Sequence, residues 1–343
     1  MNYFLSENVG NSRDAGTKPK KDIEQILESL NFVKIGIDFS MSKKNFSVKL
    51  KKSLKALKAG DVLLVQYPLK KAYIVSKECR RLKKKGINTI VVVHDLNHLR
   101  LLKPRNLNDW VNKYQWKMRD LVILKSFSLV VAHNKIMKSY IEKFKISSEK
   151  IIELGIFDYL LPTELGIQEF SKDDVIIAGN LSEEKAAFVY KLPTGSNYGL
   201  YGINYTTKAK RDNVHYYGSF DANNPSCLGG KFGLVWDGDS VHTCSGNFGE
   251  YLRYNNPYKL SMYLALGIPV LVWKESALSE FVEEQGVGIA ISDLDSIPNI
   301  LENMSEDDYQ KFKHNATEIS IKLRKGDFFK NAIKKSLTLI TNS

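Results

Sequence analysis

The sequence predicts two consecutive α/β domains, each a doubly wound, Rossmann-like parallel sheet, facing a shared cleft. Apolar, β-rich runs alternate with amphipathic helical segments, the pattern of a parallel sheet covered by helices on both faces. This alternation pauses near residues 155–170 and then restarts. A length of 343 residues suits two domains of ordinary size.

The elements follow in order along the chain. The predicted strands of the first domain are YFL, FVKIGI, DVLLVQYP, TIVVVHD, LVVAH and KIIELGIFD, and those of the second are DVIIAGN, YGLYGI, VHYYGSF, FGLVWDGD and IPVLVW. Amphipathic segments separate the first set, and helices follow in the second half at about 257–267, 276–285, 293–303 and 305–341. We place the domains at 1–160 and 161–325, with a C-terminal helix of about 326–343 packing back on the first.

Basic charge is concentrated in the first half of the chain. Residues 1–170 hold 32 Lys and Arg against 17 Asp and Glu, whereas residues 171–343 hold 18 against 21. Solvated helix faces explain such charge, and so does a surface that meets phosphates. The sequence has no signature of a nucleic-acid-binding module, so an anionic membrane is the favoured partner and nucleic acid is not.

Several protein classes lose their usual sequence signal. No apolar run approaches the ~20 residues that span a bilayer, and the first residues do not resemble a secretory signal. The three cysteines are scattered, which fits the reducing cytoplasm. The phosphate-binding and nucleophile motifs of dehydrogenases, P-loop NTPases and α/β-hydrolases are absent from the sequence.

Two polar stretches in the second half are candidates for a phosphate site. In NNPYKL, Asn256 and Pro257 predict a helix start, with Asn256 as the cap and Pro257 as the first helical residue. Lys259 would then lie in the first turn, beside helix amides that attract a diphosphate. The other stretch is AGNLSEEK, where a glycine allows close backbone approach, an asparagine can cap the next helix and a lysine adds charge: Gly179, Asn180 and Lys185.

The stretch VWDGDS contains a D-x-D at the end of a predicted strand. Asp237 and Asp239 could hold a metal that grips a nucleotide diphosphate. Alternatively, they are part of a strand-end loop whose carboxylates hydrogen-bond sugar hydroxyls.

Strand ends in the first half offer candidates for acid–base chemistry. Asp95 follows a predicted strand and could accept a proton from a hydroxyl, with His94 as an alternative base. The i,i+4 pair of His94 and His98 invites a zinc interpretation, but no third ligand is evident in the sequence. His133 and Asn134 follow another strand, where they would line the cleft or cap a helix.

The chain resembles the GT-B glycosyltransferases through NPYKLSMYLALGIPVLV. More specifically, it is similar to bacterial β-1,6-galactofuranosyltransferases of O-antigen assembly. The stretches that carry this similarity are YFLSENVGNSRDAGTKPKKD, HDLNHLR, IFDYL, AGNLS, FGLVWDGDSVHTCSGNFGEYL and RKGDFF. A more distant resemblance is to the glucosyltransferases that extend GlcNAc on serine-rich adhesins.

The resemblance implies an inverting hexosyltransferase, with a UDP-sugar held by the second domain and a glycan acceptor held by the first. The sugar would be β-galactofuranose, and the acceptor could be linked to polyprenyl diphosphate at the inner membrane face. No bound cofactor and no essential divalent metal are expected, because GT-B enzymes stabilise the departing diphosphate with helix dipoles and basic side chains.

The same resemblance assigns site residues. Asp95 would be the base, with His94 as its rival. The donor would contact Gly179, Asn180, Lys185, Tyr201, Asn256, Tyr258, Lys259 and Leu260. Donor sugar or acceptor would contact Arg13, Asp14, Gly16, His133, Asp237 and Asp239.

Alternatives remain open from the residues alone. A UDP-glucose- or UDP-galactopyranose-dependent enzyme of the same fold would carry the same diphosphate motifs. A GT-A enzyme would bind manganese through Asp237 and Asp239, and a basic scaffold would not be an enzyme at all. The aromatic segment DWVNKYQW could be core or the interface of a homo-oligomer.

Overall fold

The computed structural model describes residues 1–7, 17–104, 106–162, 173–207 and 211–342. Their contacts divide them into two compact units. The described residues within Met1–Ser12, Lys20–Gly155 and Phe328–Ser343 form the first unit, and those within Arg13–Pro19 and Ile156–Asp327 form the second.

The first unit is built on a six-stranded parallel sheet with the order β2-β1-β3-β4-β5-β6. Its strands are β1 (Asn2–Glu7), β2 (Val33–Ile37), β3 (Val62–Tyr67), β4 (Asn88–Val93), β5 (Leu129–Ala132) and β6 (Ile151–Glu153). All or most of each of six α-helices belongs to it: α1 (Lys18–Ser29), α2 (Lys43–Ser53), α3 (Ala72–Lys83), α4 (Leu107–Leu124), α5 (Lys135–Glu142) and α12 (Asp327–Thr341).

Apolar sequence explains the centre of this sheet. All six residues of β3 are buried, as are five of the six in β4. A strand buried on both faces does not alternate apolar and polar residues, which is why VLLVQY and NTIVVV are nearly continuous apolar runs. The strand order reverses between β1 and β3, and ligands of open α/β sheets bind at such a reversal.

The second unit repeats this architecture with the order β12-β11-β10-β7-β8-β9, again all parallel. Its strands are β7 (Val175–Asn180), β8 (Tyr198–Ile203), β9 (Val214–Tyr216), β10 (Phe232–Val235), β11 (Val270–Trp273) and β12 (Gly288–Ile291). Its α-helices are α6 (Glu183–Ala186), α7 (Gly246–Tyr251), α8 (Tyr258–Ala265), α9 (Ser279–Glu284), α10 (Ile297–Asn303) and α11 (Glu306–Lys325).

The predicted pair of parallel-sheet α/β domains is confirmed, with local differences that include helix α7, which the sequence analysis did not predict. The sequence analysis missed strand β12, a short run that begins with a glycine, a residue that is depleted in strands. The predicted helix over 305–341 is two helices, because Gly326 adopts a left-handed conformation with φ of 77° and ends α11. The chain then continues as α12, most of which clusters with the first unit.

Tyr263 is one of six buried residues of helix α8, and it contacts two strands of the second sheet. The Tyr263 hydroxyl accepts a hydrogen bond of 2.7 Å from the Ala178 amide of β7. Its ring lies against Gly233 of β10, where an added Cβ would come within 2.3 Å of it. Lys259 precedes Tyr263 by four residues and therefore lies on the same face of α8, toward the sheet.

Candidate active site

The strand order of the second unit reverses between β7 and β10. Because ligands of open α/β sheets bind at such a reversal, a ligand site is expected at the residues that follow these two strands. Strand β10 leads into Trp236 and the loop from Asp237 to Asp239, while Asn180 ends β7. Helix α8 contributes its first turn. Three segments that are distant in sequence therefore meet in this region.

Lys259 is the central cation of this group. Its Nζ donates to the carbonyl oxygen of Trp236 at 2.9 Å and to Oδ1 of Asp237 at 2.8 Å. The side chains of Lys259 and Asp237 are only 14% and 8% exposed. Burial lowers the pKa of Lys259 most, the charge of Lys185 lowers it further, and Asp237 opposes both effects.

The start of α8 differs by one residue from the sequence prediction. Pro257 is the N-cap, with φ of −66° and ψ of 127°, and Tyr258 is the first helical residue. The prediction that Asn256 caps the helix was therefore wrong, because Asn256 precedes the cap and is itself buried. Lys259 still lies in the first turn, at its second position.

The residues on either side of Lys259 already make packing contacts and hydrogen bonds within the protein. The Leu260 side chain is fully buried, and its amide donates to the Pro257 carbonyl at 3.0 Å. The Tyr258 ring packs against Tyr159 with centroids 4.8 Å apart. A diphosphate that used the Leu260 amide would compete with a hydrogen bond already made at the helix start.

The two aspartates of the D-x-D have different environments. Asp237 is buried against Lys259, whereas Asp239 is exposed and accepts a hydrogen bond from the Ser245 hydroxyl. Gly238 has φ of 120°, and a Cβ there would lie 2.6 Å from backbone atoms of Ser245, so this turn requires glycine. Among the described residues, no group of three His, Cys, Asp or Glu side chains could hold a metal ion.

Lys185 and Gly179 lie near the same strand ends. The Lys185 carbonyl accepts from the Gly238 amide at 2.7 Å, which ties α6 to the D-x-D loop. The Nζ of Lys185 lies 5.6 Å from the ring centroid of Phe248. Gly179 has φ of 129°, and a Cβ there would have no described atom within 4 Å, so space is open beside its backbone.

Asn180 does not cap the next helix, contrary to the sequence prediction. Helix α6 begins at Glu183 with Ser182 in the N-cap position. The Oδ1 atom of Asn180 instead accepts from the Ser182 amide at 3.1 Å and from the Asn204 side chain at 2.9 Å. Asn180 therefore shapes the turn between β7 and α6, because a short polar side chain can bond the backbone two residues on.

Tyr201 belongs to a cluster that the sequence analysis did not identify. Its ring stacks on Tyr217 with centroids 4.7 Å apart, and burial raises its pKa to about 12. The Tyr217 hydroxyl donates to Asp173 at 2.9 Å, and His215 Nδ1 lies 2.6 Å from the same carboxylate. Tyr201 is 6% exposed and Tyr217 is 48% exposed, so Tyr217 presents the accessible ring. The adjacent aromatic residues in VHYYG were the available signal.

His94 follows β4 in the first unit and is held as one tautomer. Its Nε2 lies 2.7 Å from Oε1 of Gln66, whose Nε2 donates to the Lys20 carbonyl at 3.1 Å. That donation orients the amide, so Gln66 Oε1 accepts and His94 Nε2 carries the proton. Burial, Lys20 and His133 all hold the pKa of His94 well below its ordinary value, so the ring is neutral near pH 7.

Asp95, the next residue, is partly exposed. Its side chain is 32% exposed and lies 3.7 Å from the Arg100 guanidinium. Burial lowers the pKa of Lys20, and the charges of Glu7 and Asp95 oppose that shift, so Asp95 also acts on this lysine. Of the two proposed bases, Asp95 is therefore a carboxylate near cationic groups, and His94 is a neutral imidazole.

The remaining candidate site residues of the first half lie in different local environments. His133 is 1% exposed at the end of β5, and burial lowers its pKa to about 4. Asn134 caps α5 by accepting from the Met137 amide at 2.9 Å, one of the two roles predicted for it. Arg13, Asp14 and Gly16 lie outside the described residues.

The surroundings of His98 do not support the zinc interpretation of the histidine pair. Its Nδ1 lies 2.6 Å from Asp120, and its Nε2 lies 2.8 Å from the Tyr140 hydroxyl. Both ring nitrogens are thus committed to a buried hydrogen-bond network, and a metal could bind only by breaking it.

The fold is that of the GT-B glycosyltransferases. It matches sucrose-phosphate synthase from Thermosynechococcus elongatus with a TM-score of 0.60 at 11% identity, over 100% of this chain and 99% of that one. It matches the apo form of the lipopolysaccharide outer core galactosyltransferase WaaB with a TM-score of 0.60 at 13% identity, over 98% and 100%. The GT-B fold predicted from the sequence is confirmed, so the alternative of a GT-A fold was wrong.

The chain belongs to the glucosyltransferase 3-like family, whose N-terminal domain matches residues 2–156 and whose C-terminal domain matches residues 175–336. It is 35% identical over 344 residues to the beta-1,6-galactofuranosyltransferase WbbI of Escherichia coli K12, covering 97% of each chain. It is 25% identical over 347 residues to glucosyltransferase 3 of Streptococcus parasanguinis, covering 98% and 97%. The protein is therefore a glycosyltransferase, as its motifs predicted.

Proposed function

We propose that the protein transfers β-galactofuranose from UDP-galactofuranose to a glycan acceptor in the synthesis of a cell-surface polysaccharide, with inversion at the anomeric carbon. The name of the relative at 35% identity supports this sugar. The observation that supports a diphosphate-containing donor is the buried Lys259 in the first turn of α8, with Lys185 near it. A cation and helix amides at one strand end suit a nucleoside diphosphate.

In the proposed reaction, Asp95 accepts the proton of an acceptor hydroxyl. The hydroxyl oxygen forms a bond to the anomeric carbon as the bond from that carbon to the UDP oxygen breaks, and UDP departs with the electron pair. Lys259 and Lys185 stabilise the negative charge that develops on the diphosphate. A single displacement of this kind inverts the anomeric configuration.

The acceptor that we propose is a glycan on a polyprenyl diphosphate. The excess of basic residues in the first half of the chain supports an enzyme that works at an anionic membrane surface. Among the described helices, none combines the length and the hydropathy of a membrane-spanning segment.

A donor screen by mass spectrometry tests the proposal. Purified protein is offered UDP-galactofuranose, UDP-galactopyranose and UDP-glucose with simple glycoside acceptors, and the anomeric configuration of each product is assigned by NMR. Preferred turnover of UDP-galactofuranose is expected. Preference for UDP-glucose would favour the activity named in the glucosyltransferase 3 relative. No UDP binding and no turnover of these donors would contradict the proposed UDP-sugar donor.

Activity is expected to persist in excess EDTA. Since Lys259 already pairs with Asp237, and Asp239 bonds Ser245, we assign the neutralisation of the diphosphate to basic side chains and not to a metal. The measurement is the initial rate before and after exhaustive EDTA treatment. Loss of activity that Mn²⁺ restores in wild type but not in the Asp237→Asn/Asp239→Asn variant would instead make the D-x-D a metal site.

The alkaline limb of the pH–rate profile is expected to move to lower pH in Asp237→Asn. Asp237 raises the pKa of Lys259 against burial and Lys185. Without the carboxylate, that pKa falls, and the amine loses its charge at a lower pH. The measurement is kcat/KM against pH. Asp239→Asn is the matched control, because the Asp239 carboxylate accepts a hydrogen bond from Ser245, whereas Lys259 pairs with Asp237. The alkaline limb of the Asp239→Asn variant should coincide with that of wild type.

A further inference from the structure

Helix α4 displays an apolar stripe to solvent. Its members recur at i, i+3, i+4, i+7 and i+11, which places them on one face of the helix. Their exposed fractions are high: Leu107 78%, Trp110 58%, Val111 47%, Tyr114 67% and Met118 42%. Scattered exposed apolar residues are ordinary, but a continuous stripe with two aromatic rings on one helix marks an interaction surface.

The C-terminal end of α4 is anchored in the first unit, so the helix cannot turn its stripe inward. Asp120, Ile123 and Leu124 are buried there. The Asp120 carboxylate lies 2.6 Å from Nδ1 of His98 and also accepts from the Tyr67 hydroxyl. A buried carboxylate with two side-chain partners holds α4 in one rotation about its axis.

Basic side chains accompany the stripe. Lys117 and Arg119 are exposed on α4, and Lys103 and Lys125 are exposed just beyond its two ends. In the described part of 100–125, the carboxylates are those of Asp109 and the buried Asp120. The surface is therefore apolar at its centre and mainly cationic around it.

We propose that α4 docks this protein on an anionic lipid bilayer, with its apolar stripe at the level of the headgroups. Tryptophan and tyrosine prefer the membrane interface, and lysines around an apolar face are attracted by anionic headgroups. A second copy of this chain would bring the same cations face to face, which disfavours a symmetric dimer through this surface. Membrane docking through α4 rests on the proposed function in one respect: the proposed lipid-linked acceptor lies at such a surface, which gives the enzyme a reason to bind there.

Vesicle flotation of the full chain tests this inference directly. Wild type is expected to float with phosphatidylglycerol–phosphatidylcholine vesicles and much less with phosphatidylcholine alone. Trp110→Ser/Val111→Ser/Tyr114→Ser should lower the partition coefficient by about tenfold or more, because it removes the apolar area that the interface would bury. Lys117→Glu/Arg119→Glu should remove the preference for the anionic vesicles.

A matched control separates the stripe from general surface hydrophobicity. Val48→Ser/Tyr73→Ser/Leu339→Ser changes three apolar residues of the first unit that are 64%, 62% and 40% exposed and lie off α4. This variant should float like wild type, and thermal melting should show that both triple variants fold.

Three outcomes would overturn the inference. In the first, the stripe variant floats like wild type. In the second, wild type fails to bind the anionic vesicles. In the third, wild type sediments as a dimer that the stripe variant loses, which would assign the stripe to a second copy. Turnover of a water-soluble acceptor is measured separately, so failure of the proposed enzymatic function and failure of membrane docking are distinguishable.

Discussion

Replacing Lys259 by alanine is expected to lower kcat by about 10²–10³-fold, the usual cost of losing one stabilising group for a developing anion. Lys259 lies in the first turn of α8, and its Nζ reaches the strand-end loop at Trp236 and Asp237. The loss should fall on kcat more than on KM, because the charge on the diphosphate grows as the bond to the sugar breaks. Steady-state kinetics with saturating acceptor measures both.

The Lys259 substitution also has a structural cost that must be separated from chemistry. It leaves the buried Asp237 carboxylate without its cation, which can lower the free energy of unfolding by about 3–5 kcal/mol. The Lys259→Met/Asp237→Asn variant removes both charges, so it should recover stability against urea but not activity.

A lysine that contacts the loop from Asp237 to Asp239 supplies the matched control for charge. Lys191 is exposed, and its Nζ donates to the Asp239 carbonyl at 2.8 Å. Lys191→Met should therefore leave kcat close to that of wild type. UDP-sugar turnover within a few-fold of wild type in Lys259→Ala would contradict the proposed donor site.

Replacing Asp95 by asparagine is expected to lower kcat by about 10²–10⁴-fold, the usual contribution of a general base. Asparagine keeps the size of the side chain but cannot take a proton from the acceptor hydroxyl. Because Asp95 is 32% exposed, the substitution should leave the fold stable. The measurement is the single-turnover rate, with UDP binding by calorimetry expected to match that of wild type.

His94→Gln is the comparison that distinguishes the two proposed bases. The pKa of His94 is held well below its ordinary value by burial, so an imidazole in this position is a weak base. The expected loss for His94→Gln is therefore much smaller than for Asp95→Asn. Arg100→Met serves as the control for disturbing the surroundings of Asp95, because Arg100 lies 3.7 Å from its carboxylate. A large loss in His94→Gln with a small one in Asp95→Asn would assign the base to His94.

The class of the fold could be predicted from the linear sequence. Buried parallel strands need continuous apolar runs, and covering helices need amphipathic ones, so both patterns are local. The proposed phosphate site in the first turn of α8 also rested on local sequence, because Pro257 and Lys259 are neighbours along the chain. Strand β12 was missed because it is short and begins with a glycine, which weakens the local strand signal. The cap of α8 was misplaced by one position because helix ends depend on neighbouring contacts.

Which side chains meet depends on the folded chain. The sequence suggested two equivalent aspartates in VWDGDS, but Lys259, 22 positions away, pairs with Asp237, while Asp239 bonds Ser245. The exposure of the α4 stripe was equally undetermined, since an apolar helix face has the same spacing whether it is covered or not. Ion pairing and burial depend on what the fold brings alongside a residue, and a linear pattern does not contain that information.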